Sequence, residues 1–221
     1  MKFFHFIIPI LFMSMVFNSI ISAQSEVIKL PEVNLKGKLS LEETLKERKS
    51  TRGYLKSELR IDEISQLLWA AQGINRSDGK RTAPSAGALY PLEYYLLVGD
   101  VKNLNVGLYQ YDPMNHSLII KSNKNLIPSL TSAMQQFVTN GAAIIIITGV
   151  YERTTQKYGE RGIRYVHMDV GFACQNIYLQ AESLGLGTVY MGAFNDNLLS
   201  DILQLPKNHK PLGVMPVGRV R

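Results

Sequence analysis

Between Ala142 and Val150 the chain reads Ala-Ala-Ile-Ile-Ile-Ile-Thr-Gly-Val, a stretch without a single charge. A continuous apolar run with no polar alternation suits a strand buried on both faces. The longest segment after it has a different period. From Gly162 to Leu184, the residues Ile163, Val166, Val170, Ala173, Ile177, Ala181 and Leu184 recur every three or four positions. That is the stripe of a long helix, and Gly185 follows as its cap. The stripe suits a domain core or a dimer seam better than a ligand box.

The remaining elements do not alternate regularly. Ser40 and Glu43 form a capping-box pattern ahead of a helix running from Leu41 towards Arg48. Ile61, Ile64, Leu67, Leu68 and Ala71 predict a second helix over 61–72, with Gly73 as its stop. Glu93–Val98 and Gly107–Tyr111 read as strands, and Asp112-Pro113-Met114-Asn115 turns the chain into a third at Ser117–Lys121. Leu126–Val138 reads as helical, and Val189–Phe194 and Val214–Val220 as closing strands. This order argues for an α+β fold over a doubly wound sheet.

The beginning of the chain has another character. Lys2 is the only Lys, Arg, Asp or Glu before Glu26, and Phe3–Ile21 is almost wholly apolar. Ile21-Ser22-Ala23 offers a cleavage site, so residues 1–23 read as a signal peptide, with an uncleaved N-terminal anchor as the alternative. Either places the globular part outside the cytoplasmic membrane, periplasmic or secreted. Residues 24–40 form a polar leader and 41–221 a single domain. Without Lys2 the balance is 23 basic against 18 acidic residues, a dispersed +5. No nucleic-acid motif accompanies it. Cys174 is the single cysteine, so no intramolecular disulfide forms, and the four histidines lack metal-ligand spacing.

Two segments carry chemistry. Arg48-Lys49-Ser50-Thr51-Arg52 packs three cations and two hydroxyls into five residues. It is either a phosphate grip or a solvated helix end complementing the dipole. Arg81-Thr82-Ala83-Pro84-Ser85-Ala86-Gly87-Ala88-Leu89-Tyr90-Pro91 is a run of small residues between prolines. It is either an ordinary turn before a strand or a backbone platform that lets something flat approach. A phosphate-bearing planar cofactor would need both kinds of site.

Arg48-x-Ser50-x-Arg52, Pro84-Ser85-Ala86-Gly87-Ala88 before a strand, Gln175-Asn176 on a helix ending in Leu184-Gly185-Leu186-Gly187-Thr188, and terminal Pro216-Val217-Gly218-Arg219 together resemble the FMN-dependent nitroreductase superfamily. The resemblance covers about Leu41 to Arg221. Thr82–Glu93 and Lys157-Tyr158-Gly159-Glu160-Arg161-Gly162-Ile163-Arg164-Tyr165 look most like the SagB/ThcOx-type branch, the azoline-oxidising peptide dehydrogenases.

The resemblance implies a nitroreductase-like fold, a central mixed but mainly antiparallel sheet flanked by helices. It implies a homodimer with FMN at the subunit interface. By analogy, Arg48, Lys49, Ser50 and Arg52 hold the FMN phosphate and ribityl chain, and Arg219 or Arg221 completes the phosphate pocket. Pro84, Ser85, Ala86, Gly87 and Ala88 of the partner line the isoalloxazine ring. Met191, Gly192 and Ala193 meet its other face or edge, where backbone N–H groups reach N5. Ala88 stands where many nitroreductases carry Asn, and an acidic residue near Gly192 is missing.

Lys157 and Tyr158 are the catalytic candidates, implicated by the branch in proton removal while hydride passes to flavin N5. The alternative is a loop lysine and a packing tyrosine. The implied function is an FMN-dependent oxidoreductase moving two electrons to or from a small-molecule or peptide substrate. A non-redox flavin-binding or degenerate member acting as a sensor is the alternative. Export would favour a dehydrogenase cycle, because NAD(P)H is scarce outside the cytoplasm.

Overall fold

The structure is a computed structural model that describes residues 26–220; the apolar N-terminal segment and Arg221 lie outside the described residues. Nine strands are present among them: β1 (Val27–Lys29), β2 (Leu59–Arg60), β3 (Leu92–Val98), β4 (Val101–Lys102), β5 (Gly107–Asp112), β6 (Ser117–Ser122), β7 (Ala143–Gly149), β8 (Leu186–Thr188) and β9 (Lys210–Arg219). Five helices accompany them: α1 (Leu41–Glu47), α2 (Ile61–Gln72), α3 (Glu152–Tyr158), α4 (Arg161–Ser183) and α5 (Asp196–Leu203). Seven strands make one sheet in the order β1-β6-β5-β3-β7-β9-β8, every neighbour antiparallel. The parallel pairing is confined to the two-residue strands β2 and β4 beside it. No helix among the described residues is long and apolar enough to cross a membrane.

The apolar run lies at the centre of this sheet, where β7 is fully buried between β3 and β9. Its side chains alternate between two cores, as a period of two requires. Ile145 and Ile147 enter one with Leu67, Leu68, Val170 and Ile177 of α2 and α4. Ile144 and Ile146 enter the other with Leu130, Val138, Leu199 and Leu203. The α4 stripe is core from Val166 to Ala181, but its first member, Ile163, is 45% exposed.

Three expected elements differ. Leu126–Val138 is not one helix but 3₁₀ turns at Ile127–Ser132 and Gln136–Asn140. The hydroxyls of Thr131 and Ser132 donate to carbonyls three residues back, competing with helical bonds. Val189–Phe194 is no strand; it makes only isolated bridges, Met191 with Val214 and Phe194 with Met134. The Tyr190 N–H goes to the Tyr178 hydroxyl instead of a ladder, and the Tyr190 ring occupies the space a side chain at Gly213 would need. Gly73 ends α2 in extended backbone, not left-handed, because the Trp69 ring fills the place of its missing Cβ. Gly185 is left-handed as expected, at φ 70°.

The polar leader is docked. β1 pairs with β6, and Leu30 is buried. Ser65 donates to the Pro31 carbonyl at 2.5 Å, with His116 Nε2 2.7 Å from that hydroxyl and 3.1 Å from the carbonyl. Tyr111 sits 3.0 Å from His116 Nδ1. The Ser40–Glu43 capping box forms as read from the sequence.

Burial, with Lys29 nearby, pushes His116 below its usual value, against the contrary pull of the Pro31 carbonyl. A base whose folded pKa is depressed gives stability above its unfolded pKa, and that stability is lost as pH falls. Amide exchange in β1 therefore rises as pH drops below about 6.5, measured against intrinsic exchange, and His116→Gln flattens the response. A second outcome concerns Glu63, which is 1% exposed and bound to Arg219 at 2.9 Å and Arg60 at 3.0 Å. Glu63→Ala costs about 2–3 kcal/mol in urea denaturation, below the range for fully buried pairs because both guanidiniums reach water.

Candidate functional site

The cationic segment starts where α1 stops. Arg48 leaves the helix with φ −51° and ψ 124°, and the chain then crosses the ends of β8 and β9. The Thr51 N–H donates to the Thr188 carbonyl at 2.9 Å, and the Leu55 N–H to the Arg219 carbonyl at 2.8 Å. Gly187 and Gly218 permit this approach, since Cβ atoms there would stand 2.9 Å from Thr51 Cγ2 and 2.8 Å from Tyr54 Cβ.

Tyr178 of α4 organises the segment. Its hydroxyl lies 3.1 Å from Ser50 Oγ and accepts from the Tyr190 N–H at 2.7 Å, while Arg48 stands over its ring at 5.3 Å. Arg52 lies over the Phe137 ring at 5.8 Å. Among the described residues, Arg48, Lys49 and Arg52 have no carboxylate partner.

Two of the expected site residues, Arg219 from the phosphate pocket and Met191 from the ring edge, are engaged in other contacts. Arg219 gives its Nη2 to Glu63 and its Nε to the Glu58 carbonyl, so its guanidinium ties β9 to α2. The Met191 N–H donates to the Val214 carbonyl at 2.9 Å and its side chain is buried. Gly192 and Ala193 are the exposed members of that trio. Arg221 lies outside the described residues.

The small-residue run forms a second centre. Pro84, Gly87 and Ala88 are exposed, above a fully buried Ala83. Gly87, Ala88 and Tyr90 all have left-handed backbone, with φ of 62°, 54° and 46°. Each such non-glycine residue costs on the order of 1 kcal/mol and persists only where its surroundings enforce it. Ser85 does not point outward: it donates to buried Asp169 at 2.6 Å and accepts from the Tyr90 N–H at 2.9 Å.

Lys157 and Tyr158 are not in a loop. They end α3, stopped by Gly159 at φ 58°. A Cβ on Gly87 would stand 2.7 Å from the Tyr158 hydroxyl and 3.1 Å from Lys157 Nζ, so both reach the open backbone of the small-residue run. Tyr165 packs edge-on against Tyr158 at 5.2 Å and holds its ring.

Asp169 and Tyr178, the anchors of the two centres, are nine residues apart on α4. At 3.6 residues per turn that is two and a half turns, or roughly 13 Å along the axis and half a revolution around it. One chain therefore holds its cationic centre and its small-residue centre on opposite flanks of one helix. Between these flanks α4 presents a face with Met168 and Phe172 each 48% exposed and open space beside Gly171. Leu41 and Leu45 of α1 are also more than half exposed.

Neither a groove of about 370 Å³ nor the thiol contributes chemistry. The groove, between the leader, α1, α2 and α4, has no titratable side chain in its wall. Burial pushes the Cys174 thiol up to about 12, which leaves it inert. Sequence reasoning missed Tyr178 and Asp169, although Asp169 is the only acid between Glu160 and Glu182.

Residues 45–219 match the model of the nitroreductase family. The nitroreductase-family protein MJ1384 of Methanocaldococcus jannaschii is 45% identical over 194 residues, spanning 87% of this chain and 96% of that one. A nitroreductase structure from Ralstonia eutropha superposes with a TM-score of 0.78 at 31% identity, covering 88% and 90% of the two chains. The microcin B17-processing protein McbC of Escherichia coli is 27% identical over 68% of this chain and 58% of its own length. A chain of the E. coli McbBCD microcin synthetase, solved with truncated pro-MccB17 bound, gives a TM-score of 0.71 at 26% identity, covering 90% and 79%. Fold, motif order and relatives agree: the chain belongs to the nitroreductase family, with SagB-type processing proteins among its relatives.

Proposed function

We propose that this chain is an FMN-dependent oxidoreductase of the SagB-type dehydrogenase kind, working as a homodimer with its cofactor between the two copies. The observation that carries this reading is the pair of half-sites on opposite flanks of α4. A two-fold axis along the apolar face of that helix would bring the cationic centre of one copy to the small-residue centre of the other.

The residues fit the cofactor. Among the described residues Arg48, Lys49 and Arg52 have no carboxylate partner, and the Ser50 hydroxyl shares Tyr178 with Arg48. Guanidiniums match phosphate oxygens bidentately. A flat ring needs a surface without side-chain bulk, which Pro84, Gly87 and Ala88 offer. Gly192 and Ala193 supply exposed backbone beside Tyr190 on the cationic side. When bound, FMN supplies two-electron redox chemistry.

The protein's own part is position and protons. Tyr178 fixes Ser50 and Arg48, and the Gly87 backbone admits Lys157 and Tyr158 to the ring platform. In this reading Lys157 or Tyr158, both beside Gly87, would take the substrate proton, and Tyr165 packs edge-on against the tyrosine ring. We infer a dehydrogenase acting on a small-molecule or peptide substrate; the relatives named for processing microcin B17 and trifolitoxin support the peptide class. The apolar segment 1–23 supports export, periplasmic or secreted, or anchoring by that segment.

Purified protein incubated with FMN and desalted shows flavin bands near ~375 and ~450 nm. Arg48→Ala or Arg52→Ala weakens FMN binding by about 10–100-fold, the worth of one shielded charged hydrogen bond. Lys157→Ala keeps the flavin and lowers oxidation of a thiazoline-containing dipeptide, with dichlorophenolindophenol as acceptor, by about 100-fold. Unchanged turnover there would favour a flavin-binding sensor, and a colourless wild-type protein would end the flavin reading altogether. Phe172→Glu, on the exposed face of α4, gives a monomer in sedimentation and loses FMN with it. A monomeric variant that still holds FMN would refute the two-copy site.

A further inference from the structure

Asp169 is an uncommon residue to find where it is. It is 2% exposed on the flank of α4, and no cation pairs with it among the described residues. A lone buried carboxylate costs several kcal/mol of desolvation unless hydrogen bonds offset it. Here the offset comes from one place. Ser85 Oγ–H donates to Oδ2 at 2.6 Å, and the nearby Ala86 N–H also favours the charged carboxylate. Both groups belong to the small-residue run.

The contacts continue through the loop. Ser85 Oγ, having given its proton to Asp169, accepts from the Tyr90 N–H at 2.9 Å. Asp169 and Ser85 thus clamp the loop at its first residue and at Tyr90, and the left-handed Gly87 and Ala88 lie between the clamped ends. Tyr90 is fixed from its other side too, by Arg81 over its ring at 4.3 Å and by Arg153, which donates to its carbonyl at 3.1 Å. The Ser85 hydroxyl has its proton and a lone pair engaged inside the protein, so it serves as a strut of the loop.

We propose that Asp169 is a positioning residue for the redox site: through Ser85 and Ala86 it holds Gly87 and Ala88 in the left-handed conformation that presents a bare backbone platform to Lys157, Tyr158 and a flavin ring. This rests on the flavin reading for its consequence in binding, whereas the effect on loop conformation stands without it. Packing alone does not explain the arrangement, because an apolar pair of similar volume would fill the space without the desolvation cost.

Asp169→Asn keeps the shape but presents one acceptor and one donor to two donors. In the full-length apo protein, amide exchange at residues 85–90 should rise about tenfold, with exchange in β7 unchanged. Ser85→Ala should give the same increase, Ser85→Thr should restore the wild-type rate, and the double variant should be no worse than either single one. Binding separates this device from the phosphate grip. Asp169→Asn should weaken riboflavin and FMN by the same factor, since both carry the ring, whereas Arg48→Ala should weaken FMN alone.

Unchanged loop exchange in Asp169→Asn and Ser85→Ala overturns the proposal, and so does an FMN-specific loss in Asp169→Asn. Should Asp169→Asn fail to fold, Ser85→Ala decides from the loop side of the same bond. A wild-type protein that binds neither flavin removes the cofactor reading, and the exchange result then decides the positioning role by itself.

Discussion

The burial of β7 on both faces governs the rest of the molecule. Ile144 and Ile146 enter one core and Ile145 and Ile147 the other, so neither face of the central sheet is free for a ligand. Each isoleucine contributes roughly 1.5–3 kcal/mol of transfer free energy, and opening a binding cleft against β7 would forfeit several such terms. Binding chemistry is therefore displaced to the rim of the sheet. The strand ends at Thr188 and Arg219 carry the cationic segment, and the loop before β3 carries the small residues. α4, packed against β7 through its stripe, joins these two rims and fixes their separation.

The local irregularities follow from the same displacement. At the rim no ladder dictates backbone conformation, so side-chain hydrogen bonds do. Tyr178 takes the Tyr190 N–H that a strand neighbour would otherwise use, and Asp169 holds the run from Ser85 to Tyr90. Three left-handed residues within four positions would be a steric defect in a loop serving only as a connection. Here Gly87 and Ala88 expose backbone, which on the flavin reading proposed above would admit a plane that side-chain bulk would block. Arg81, Glu93 and the exposed Arg153 gather around Tyr90 and supply the rigidity that the conformation demands.

What the sequence made legible is what depends on periodicity and local pattern. α2, α4 and β7 came from apolar spacing, and the α1 capping box from Ser40 and Glu43. Short elements stabilised by tertiary contact were not legible. α3 has only seven residues and a polar sequence, and its place against Gly87 depends on a non-local fold. The split of 126–138 into 3₁₀ turns depends on hydroxyls competing for carbonyls, a signal that apolar spacing conceals. In the site, residue types were read more reliably than their partners. Arg219 and Arg48 look alike in sequence, and only the buried Glu63 separates them. Ser85 looked like an outward ligand because Asp169, its partner, is 84 residues away.

That contrast between the two kinds of arginine has a physical content. Glu63 is 1% exposed and takes both Arg60 and Arg219, so its charge is fully used in joining α2 to β9. The segment from Arg48 to Arg52 crosses that same strand end, bonded through Thr51 to Thr188 and, just beyond it, through Leu55 to Arg219, and among the described residues it receives no carboxylate. On the flavin reading proposed above, a dianionic phosphate would supply the counter-charge and take bidentate hydrogen bonds. Glu63, joining α2 to β9, orders the strand end on which the segment lies, so in that reading binding would spend little free energy on ordering the backbone. In the reading proposed above, stability falls to Arg219 and affinity to Arg48 and Arg52, and the difference lies in whether a buried carboxylate is within reach.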